Sequence, residues 1–341
     1  MRAYFNSDNY APVLPEVMQA LAAVNTGHEP AYGADSVTAR VNELMRGEFG
    51  QHAHTFLVLN GTAANVVCLR AMLRPWQGVV CAGSAHLNVD EGGAPERMGG
   101  FKLLPVGTPD GKLTPELVQR WIARIGDEHA VQPGVVSVTQ STELGTLYTP
   151  EELRALADHA HAHDMRLHVD GARLANAAAA LDVPLRAITT DAGADVVSFG
   201  GTKAGLMLGE AVVLLGGGLE EALPYLRKQS MQLASKMRYV AAQFEALLTD
   251  ELWRRAAGHA NAMAARLAAA VEGIDGVRVT QAVQANVVFA MLPPGVAERL
   301  QRDWGFYTWD EHTGEVRWMC AHDTRAEDVD AFAAAVAAAV G

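Results

Sequence analysis

The sequence predicts an α/β protein, with a large domain on a mostly parallel sheet and a smaller α/β domain at the C-terminal end. Three observations carry this expectation. Short, continuous apolar runs recur along the chain, as strands buried on both faces require. Stretches with helical periodicity separate several of them, the alternation that builds strand–helix–strand crossovers. From about residue 222 the alternation gives way to long, Ala-rich helices. The large domain, including an N-terminal arm, is assigned to residues 1–240 and the smaller one to 241–341.

In chain order, strands are expected at 55–60 (TFLVLN), 78–83 (GVVCAG), 102–106 (KLLPV), 134–140 (GVVSVTQ), 166–170 (RLHVD), 195–199 (DVVSF) and 211–216 (AVVLLG). Between them lie helical stretches such as 62–73 and 149–164. Thr149 or Pro150 opens the second of these, as a cap and a first turn. A long helical region is expected over 225–248 and a second helix around 251–272. Strands at 276–280, 286–292, 306–310 and 316–320 come next, with a helix at 295–304 and a last one at 325–340. No internal repeat is visible.

Composition excludes several classes of function. Half of the 341 residues are hydrophobic and 19% are charged, so the chain can bury a core. With 27 basic against 39 acidic residues its net charge is −12, the wrong sign for a nucleic-acid partner. Cys68, Cys81 and Cys320 are odd in number and far apart, which suggests neither a disulfide framework nor a zinc knuckle. A reduced compartment, the cytoplasm, is expected. The polar start MRAYFNSDNYAP has no signal-peptide core, and no run of about 18 apolar residues suggests a membrane span.

In open parallel sheets ligands bind beyond the carboxyl ends of the strands, so the polar residues just past each strand are the candidates. After 55–60 come Gly61 and Thr62, then a helix whose N-terminus offers free N–H groups to a phosphate. After 78–83 comes His86, after 166–169 Asp170, and after 195–199 Lys203 within SFGGTKAGLM. Each alone has a plain structural explanation as a cap, a turn or a satisfied core residue. Together they make a set that suits pyridoxal 5′-phosphate. Burial beside cations lowers a lysine's pKa so that its amine can attack an aldehyde. A carboxylate facing the pyridine nitrogen keeps it protonated, and imidazole can stack on the ring. A P-loop would need Ser or Thr after the lysine, where Ala204 stands, and no GxGxxG opens a helix. His159, His161 and His163 read as the solvated face of an amphipathic helix, so no metal site is assigned. His168, two residues before Asp170, shares its strand face.

HVDGAR (168–173) followed by SFGGTK (198–203) resembles the L-threonine aldolases, fold-type-I enzymes of the β-eliminating lyase group. FNSDNYAP (5–12), GHEPAYGAD (27–35), NGTAAN (60–65), AHLNVDEGGAPE (85–96), TQSTELGT (139–146), QLASKMR (232–238) and EVRWM (315–319) extend the likeness over nearly the whole chain. The FGGTK form is similar to the low-specificity and phenylserine-aldolase branch. The resemblance implies an aspartate aminotransferase-like fold. It also implies retro-aldol cleavage of L-β-hydroxy-α-amino acids (threonine, allo-threonine, phenylserine) to glycine and an aldehyde. The same scaffold carries β-eliminating, transaldol and racemase reactions, which products would separate.

Carried over residue by residue, the resemblance implies that Lys203 bonds the cofactor, Asp170 pairs with its ring nitrogen and His86 stacks on it. Gly61 and Thr62 would hold the phosphate, with Arg238 and Lys228 reaching it across a subunit interface. Arg173, Arg317 and Ser7 would grip the substrate carboxylate. Tyr32 would lie near a neighbouring subunit's site, so a homo-oligomer, a dimer of dimers, is implied. Two positions depart from the family pattern. Glu143 stands where many members carry a histidine on the substrate hydroxyl, which leaves Glu143, His86, His28 or a water to take that proton. Ala204 stands where an asparagine would follow the lysine.

Overall fold

The computed structural model describes residues 3–341. The seven strands of the main sheet are β1 (His54–Val58), β2 (Gln77–Ala82), β3 (Lys102–Val106), β4 (Gln132–Thr139), β5 (Arg166–Gly171), β6 (Val196–Gly200) and β7 (Glu210–Leu214). Their spatial order is β1-β7-β6-β5-β4-β2-β3. Strands β2 to β6 run parallel, and β7 is antiparallel to both β6 and β1. The carboxyl ends of β1, β2, β4, β5 and β6 therefore share one edge, and the start of β7 joins them there.

Both faces of the sheet are covered, and adjacent residues of one strand show it. Val136, Val197 and Val213 enter a cluster with Met45, Phe49, Leu153 and Phe244. Their neighbours Val135, Val196 and Val212 point the other way, against Val67, Cys68 and Leu69 of the helix Gly61–Met72. Each valine removed from water contributes about 1.5–3 kcal/mol, which explains the continuous apolar runs. Helix starts obey the expected chemistry. Thr149 and Glu152 form a reciprocal capping box with Pro150 in the first turn. The Asn60 side chain accepts from the Ala63 N–H at 2.9 Å and opens the helix at Gly61.

The helical region expected over 225–248 is broken. It forms Leu223–Gln229 and Arg238–Leu248, with Met231 at a positive φ of 61° between them. The break is held by long-range bonds. The Gln232 side chain accepts from the Leu59 N–H at 2.9 Å, and the Ser235 carbonyl accepts from the Tyr32 N–H at 2.8 Å. Helical periodicity cannot report such partners. The helix expected at 295–304 closes after one turn, at Val296–Leu300.

Beyond the main sheet lies a four-stranded antiparallel sheet, ordered β10-β11-β9-β8. Its strands are β8 (Arg278–Val279), β9 (Val287–Met291), β10 (Tyr307–Asp310) and β11 (Glu315–Met319). Trp318, Phe306 and Phe332 pack its core. The helix Leu252–Val271 joins the two units, with Trp253 in the first core and Leu267 in the second. Phe5 of the N-terminal arm stacks on Phe332 with centroids 4.8 Å apart, and its carbonyl accepts from the Met319 N–H at 2.8 Å. The arm is thereby pinned beside β11, which delivers Ser7 and Asp8 toward the sheet edge.

Candidate active site

A cavity of about 330 Å³ opens at the shared edge, and Gly61, Thr62, His86, Asp170, Lys203 and Glu210 line it. Lys203 sits in a short turn of 3-10 helix directly after β6. The small residues before it answer a packing demand. A Cβ on Gly200 would lie 2.5 Å from the Ala172 carbonyl oxygen, and one on Gly201 would lie 2.5 Å from the Gly209 carbonyl oxygen. Only glycine lets the β6 end pass between these segments and aim the lysine at the cavity. Burial holds the Lys203 amine below its usual pKa, and the nearby Arg173 charge pushes the same way.

Asp170 is the second-last residue of β5 and is buried. Its Oδ1 accepts from the Ala172 N–H at 3.0 Å and its Oδ2 from Asn65 Nδ2 at 2.8 Å. Behind it His168 is fully buried, with Nδ1 2.9 Å from Ser137 Oγ. Burial drives its pKa down to about 4 against the opposing pull of Asp170, so this imidazole is neutral at pH 7. At the helix start, no hydrogen bond among the described residues uses the N–H of Gly61 or Thr62. A Cβ on Gly61 would meet nothing within 4 Å. Two free donors at a helix N-terminus, facing open space, suit a phosphate. With a pKa-depressed lysine and a buried aspartate on the same cavity, the donor set fits pyridoxal 5′-phosphate.

His86 comes after β2, and its ring Nδ1 lies 3.0 Å from Glu91 Oε1. That hydrogen bond raises the imidazole pKa, with burial opposing it. Glu143 lies behind His86. Its Oε1 accepts from the His86 N–H at 2.7 Å and from Thr139 Oγ1 at 2.8 Å. Glu143 thus caps the turn that carries His86, and burial raises its pKa.

The two arginines differ. Arg173 donates to both Asp8 oxygens, from Nε at 2.7 Å and Nη2 at 3.0 Å. Burial alone would raise the Asp8 pKa, but the Arg173 charge and hydrogen bond outweigh it and hold that carboxyl low. Arg317, on β11, is stacked 4.8 Å from the Trp309 centroid and 5.6 Å from that of Tyr307. Its Nη2 donates to the Asn6 carbonyl at 3.1 Å, while its buried Nε has no partner. Burial, aided by the Arg173 charge, lowers its pKa to about 10. An uncompensated guanidinium of this kind is a ready anion receptor. Ser7 Oγ donates to Asp8 Oδ1 at 3.3 Å and so stands beside the Arg173 pair.

The remaining sequence candidates gather elsewhere on the surface. Lys228 Nζ lies 5.5 Å over the exposed Tyr32 ring. Arg238 donates to the carbonyls of Thr26 and Gly27 at 3.1 and 3.3 Å, and His28 next to them is exposed. None of these four residues lines the cavity, and Ser7, Glu143, Arg173 and Arg317 stand behind its lining rather than in it.

Three residues of the site were not among the sequence candidates. Asn65 is buried on an otherwise apolar helix face, and that polar exception was the available signal. Glu91 lies close to His86 in sequence, but its direction into the protein was not legible. Glu210 begins β7. Its place at the start of a strand hid it, because β7 is antiparallel and brings its first residue, rather than its last, to the edge. Burial raises the Glu210 pKa to about 7, and its Oε2 accepts from the Gly201 N–H at 2.8 Å.

Comparison with known proteins agrees with this geometry. Residues 5–292 match the model of the beta-eliminating lyase family. The chain is 42% identical over 327 residues to the low specificity L-threonine aldolase of Pseudomonas aeruginosa, covering 95% of this chain and 94% of that one. It is 40% identical to the corresponding protein of a Pseudomonas species, over 98% of this chain and 97% of that one. The structure of Leishmania major threonine aldolase superposes over the full length of both chains, with a TM-score of 0.94 and 29% identity. An aminotransferase of Thermus thermophilus superposes at a TM-score of 0.71 over 99% of this chain and 95% of that one; its 18% identity makes this a likeness of fold alone.

Proposed function

This chain belongs to the beta-eliminating lyase family, and from that premise we propose that it cleaves L-β-hydroxy-α-amino acids to glycine and an aldehyde. The fold is that of the fold-type-I pyridoxal-phosphate enzymes, and the protein is a pyridoxal-phosphate-dependent lyase. The single observation that carries the chemistry is the depressed amine of Lys203 on the same cavity as Asp170, His86 and two unpartnered helix N–H groups.

Bound in this cavity, pyridoxal phosphate supplies an electron sink for the pair left on the α-carbon when a bond to it breaks. Lys203 would be the residue that holds its aldehyde carbon, and Asp170 would face its ring nitrogen and favour the protonated form. The N–H groups of Gly61 and Thr62 would receive the phosphate. Arg317, with its unpartnered Nε, takes the substrate carboxylate, and Arg173 with Ser7 completes that end. Anchoring the carboxylate orients the Cα–Cβ bond for cleavage, a positioning effect. His86 takes the proton of the β-hydroxyl at Nε2, since Nδ1 is engaged by Glu91. Glu143 serves by capping the His86 turn, which accounts for a glutamate at that position.

We further propose a homo-oligomer in which Tyr32, Lys228 and Arg238 complete a neighbouring copy's site, and a location in the cytoplasm. The exposure of Tyr32 and the unabsorbed charges near it support the first; three unpaired cysteines agree with the second. The test of the reaction is product analysis of the cofactor-loaded protein with L-threonine and L-phenylserine. Glycine with the matching aldehyde is expected. A 2-oxo acid with ammonia would move the chain to β-elimination.

A further inference from the structure

Glu91 is a buried charged side chain close to the cavity. Its side chain has no exposed area, while that of His86 beside it is 39% exposed. One oxygen, Oε1, accepts two hydrogen bonds, from Asn65 Nδ2 at 2.8 Å and from His86 Nδ1 at 3.0 Å. The same Asn65 Nδ2 donates to Asp170 Oδ2 at 2.8 Å, and Asn65 Oδ1 accepts from Ser198 Oγ at 2.7 Å. Both amide groups of Asn65 are therefore used, and its orientation is set. Its NH₂ group must face the two carboxylates, because a carboxylate oxygen only accepts, and the serine hydroxyl then donates to the amide oxygen. A carboxylate oxygen only accepts, so the hydrogen between Glu91 and His86 resides on Nδ1. Nε2 is left as the nitrogen free to gain or lose a proton.

We propose that Glu91 is a positioning residue for His86, holding the imidazole in the Nδ1–H form with Nε2 as the working base, and that Asn65 ties this pair to Asp170. One buried amide thereby couples Asp170, which would face the cofactor nitrogen, to the group that would handle the substrate proton. The logic is that of a base oriented by a third group, as in nucleophile–base–carboxylate triads. The catalytic half of the assignment rests on the aldol cleavage proposed above; the hydrogen-bonding half does not. Four ionisable groups from separate elements face His86. Glu91, Asp170 on β5 and Lys203 after β6 act on its ring, and Glu143 after β4 accepts its backbone N–H. Glu91 contributes the largest upward influence and Lys203 opposes it.

The test is Glu91→Gln, which keeps the shape and removes the charge. Nitrogen-15 spectra of the histidine rings, assigned by loss of the His86 signal in His86→Phe, are recorded against pH in the cofactor-free protein. The wild type should show the Nδ1–H form and a titration midpoint above the ordinary value of about 6.5. In Glu91→Gln the midpoint should fall by about one pH unit. In the cofactor-loaded enzyme kcat should drop about 10- to 100-fold with KM within about twofold, the scale of losing an orienting partner. Its acid limb should move to lower pH by the same shift. Adding Glu91→Gln to His86→Phe should cost nothing more, as expected when one residue acts through another. An equal further loss in that background, or an unmoved midpoint, overturns the proposal. Should Glu91→Gln not fold, the wild-type spectrum alone decides, because an Nε2–H ring excludes the pairing. Absence of glycine from L-threonine with intact spectra would overturn the reaction and leave the Glu91–His86 pairing standing.

Discussion

The cavity wall and the surface cluster around Tyr32 draw on the same set of sequence candidates, yet they end in opposite states. In the wall, the side chains of Asp170 and His86 meet neighbours from other elements, and Asn65 and Glu91 link them through hydrogen bonds of 2.8–3.0 Å. In the cluster, Lys228 faces an aromatic ring, Arg238 meets two loop carbonyls, and Tyr32 is exposed. The difference comes from topology. Parallel strands carry their ends to one edge, so residues far apart in sequence converge without further help. The loop of Tyr32 and the two helix ends that carry Lys228 and Arg238 have no such device, and the cations of the cluster have no anion among these contacts. A single copy of the chain thus assembles the wall and leaves the cluster at the surface.

The largest effect expected belongs to the wall. Lys203→Ala should abolish turnover, by on the order of 10³-fold or more, and remove the yellow colour of the bound cofactor. Measurable wild-type activity in that variant would displace Lys203 from the centre of the site. Next comes Asp170→Asn, for which a loss of about 10²- to 10³-fold in kcat is expected, the scale of removing one electrostatic partner. Cofactor content measured alongside separates weaker binding from weaker chemistry.

Arg317→Lys probes the substrate end. Losing a planar guanidinium at a charge-assisted bond should raise KM about 10- to 100-fold, from about 1.5–3 kcal/mol. An unchanged KM would assign the carboxylate to Arg173 alone. That outcome would be informative, because Arg173 is already engaged on both oxygens of Asp8.

A smaller effect is expected from the cluster. Arg238→Ala should weaken cofactor affinity about tenfold, the worth of one hydrogen bond to a charged group. Equilibrium titration of the cofactor measures it. An unaltered affinity would remove the cluster from the cofactor site and make the contrast with the wall one of function as well as place.

The smallest effect at neutral pH belongs to the two histidines of the wall, which bind protons in opposite senses. His168 has its pKa lowered from 6.5 to about 4, so the unfolded chain takes up its proton first as pH falls. Stability is therefore fully present above pH 6.5 and is lost as pH drops toward 4, by roughly 3 kcal/mol. His86 is raised, so its contribution is present at low pH and is lost as pH rises through its folded value. Melting temperatures between pH 7 and 4.5 should fall, and His168→Gln should flatten that slope. A slope unchanged by the substitution would assign the acid sensitivity to other groups.

Much of this architecture was determined by the sequence alone. Apolar runs identified the strands of the main sheet to within a few residues, because burial on both faces leaves a continuous signature in local composition. Glycines at 61, 200 and 201 and the polar residues at or just past the ends of β2, β5 and β6 marked the edge of the site for the same local reason. Strand direction is not a local property. Only the folded sheet decided that β7 runs backwards and delivers Glu210 to the cavity. Nor could periodicity foresee the break at Met231, which is held by Leu59 and Tyr32 from distant segments. The partners of the functional groups were decided in the same way. Asn65 and Asp170 are 105 residues apart, and Asp8 and Arg173 are 165 apart. Local sequence encodes which residues leave water and which end a strand. Which polar group meets which is settled by topology, because a hydrogen bond needs its atoms within about 3 Å and only the tertiary fold sets that distance.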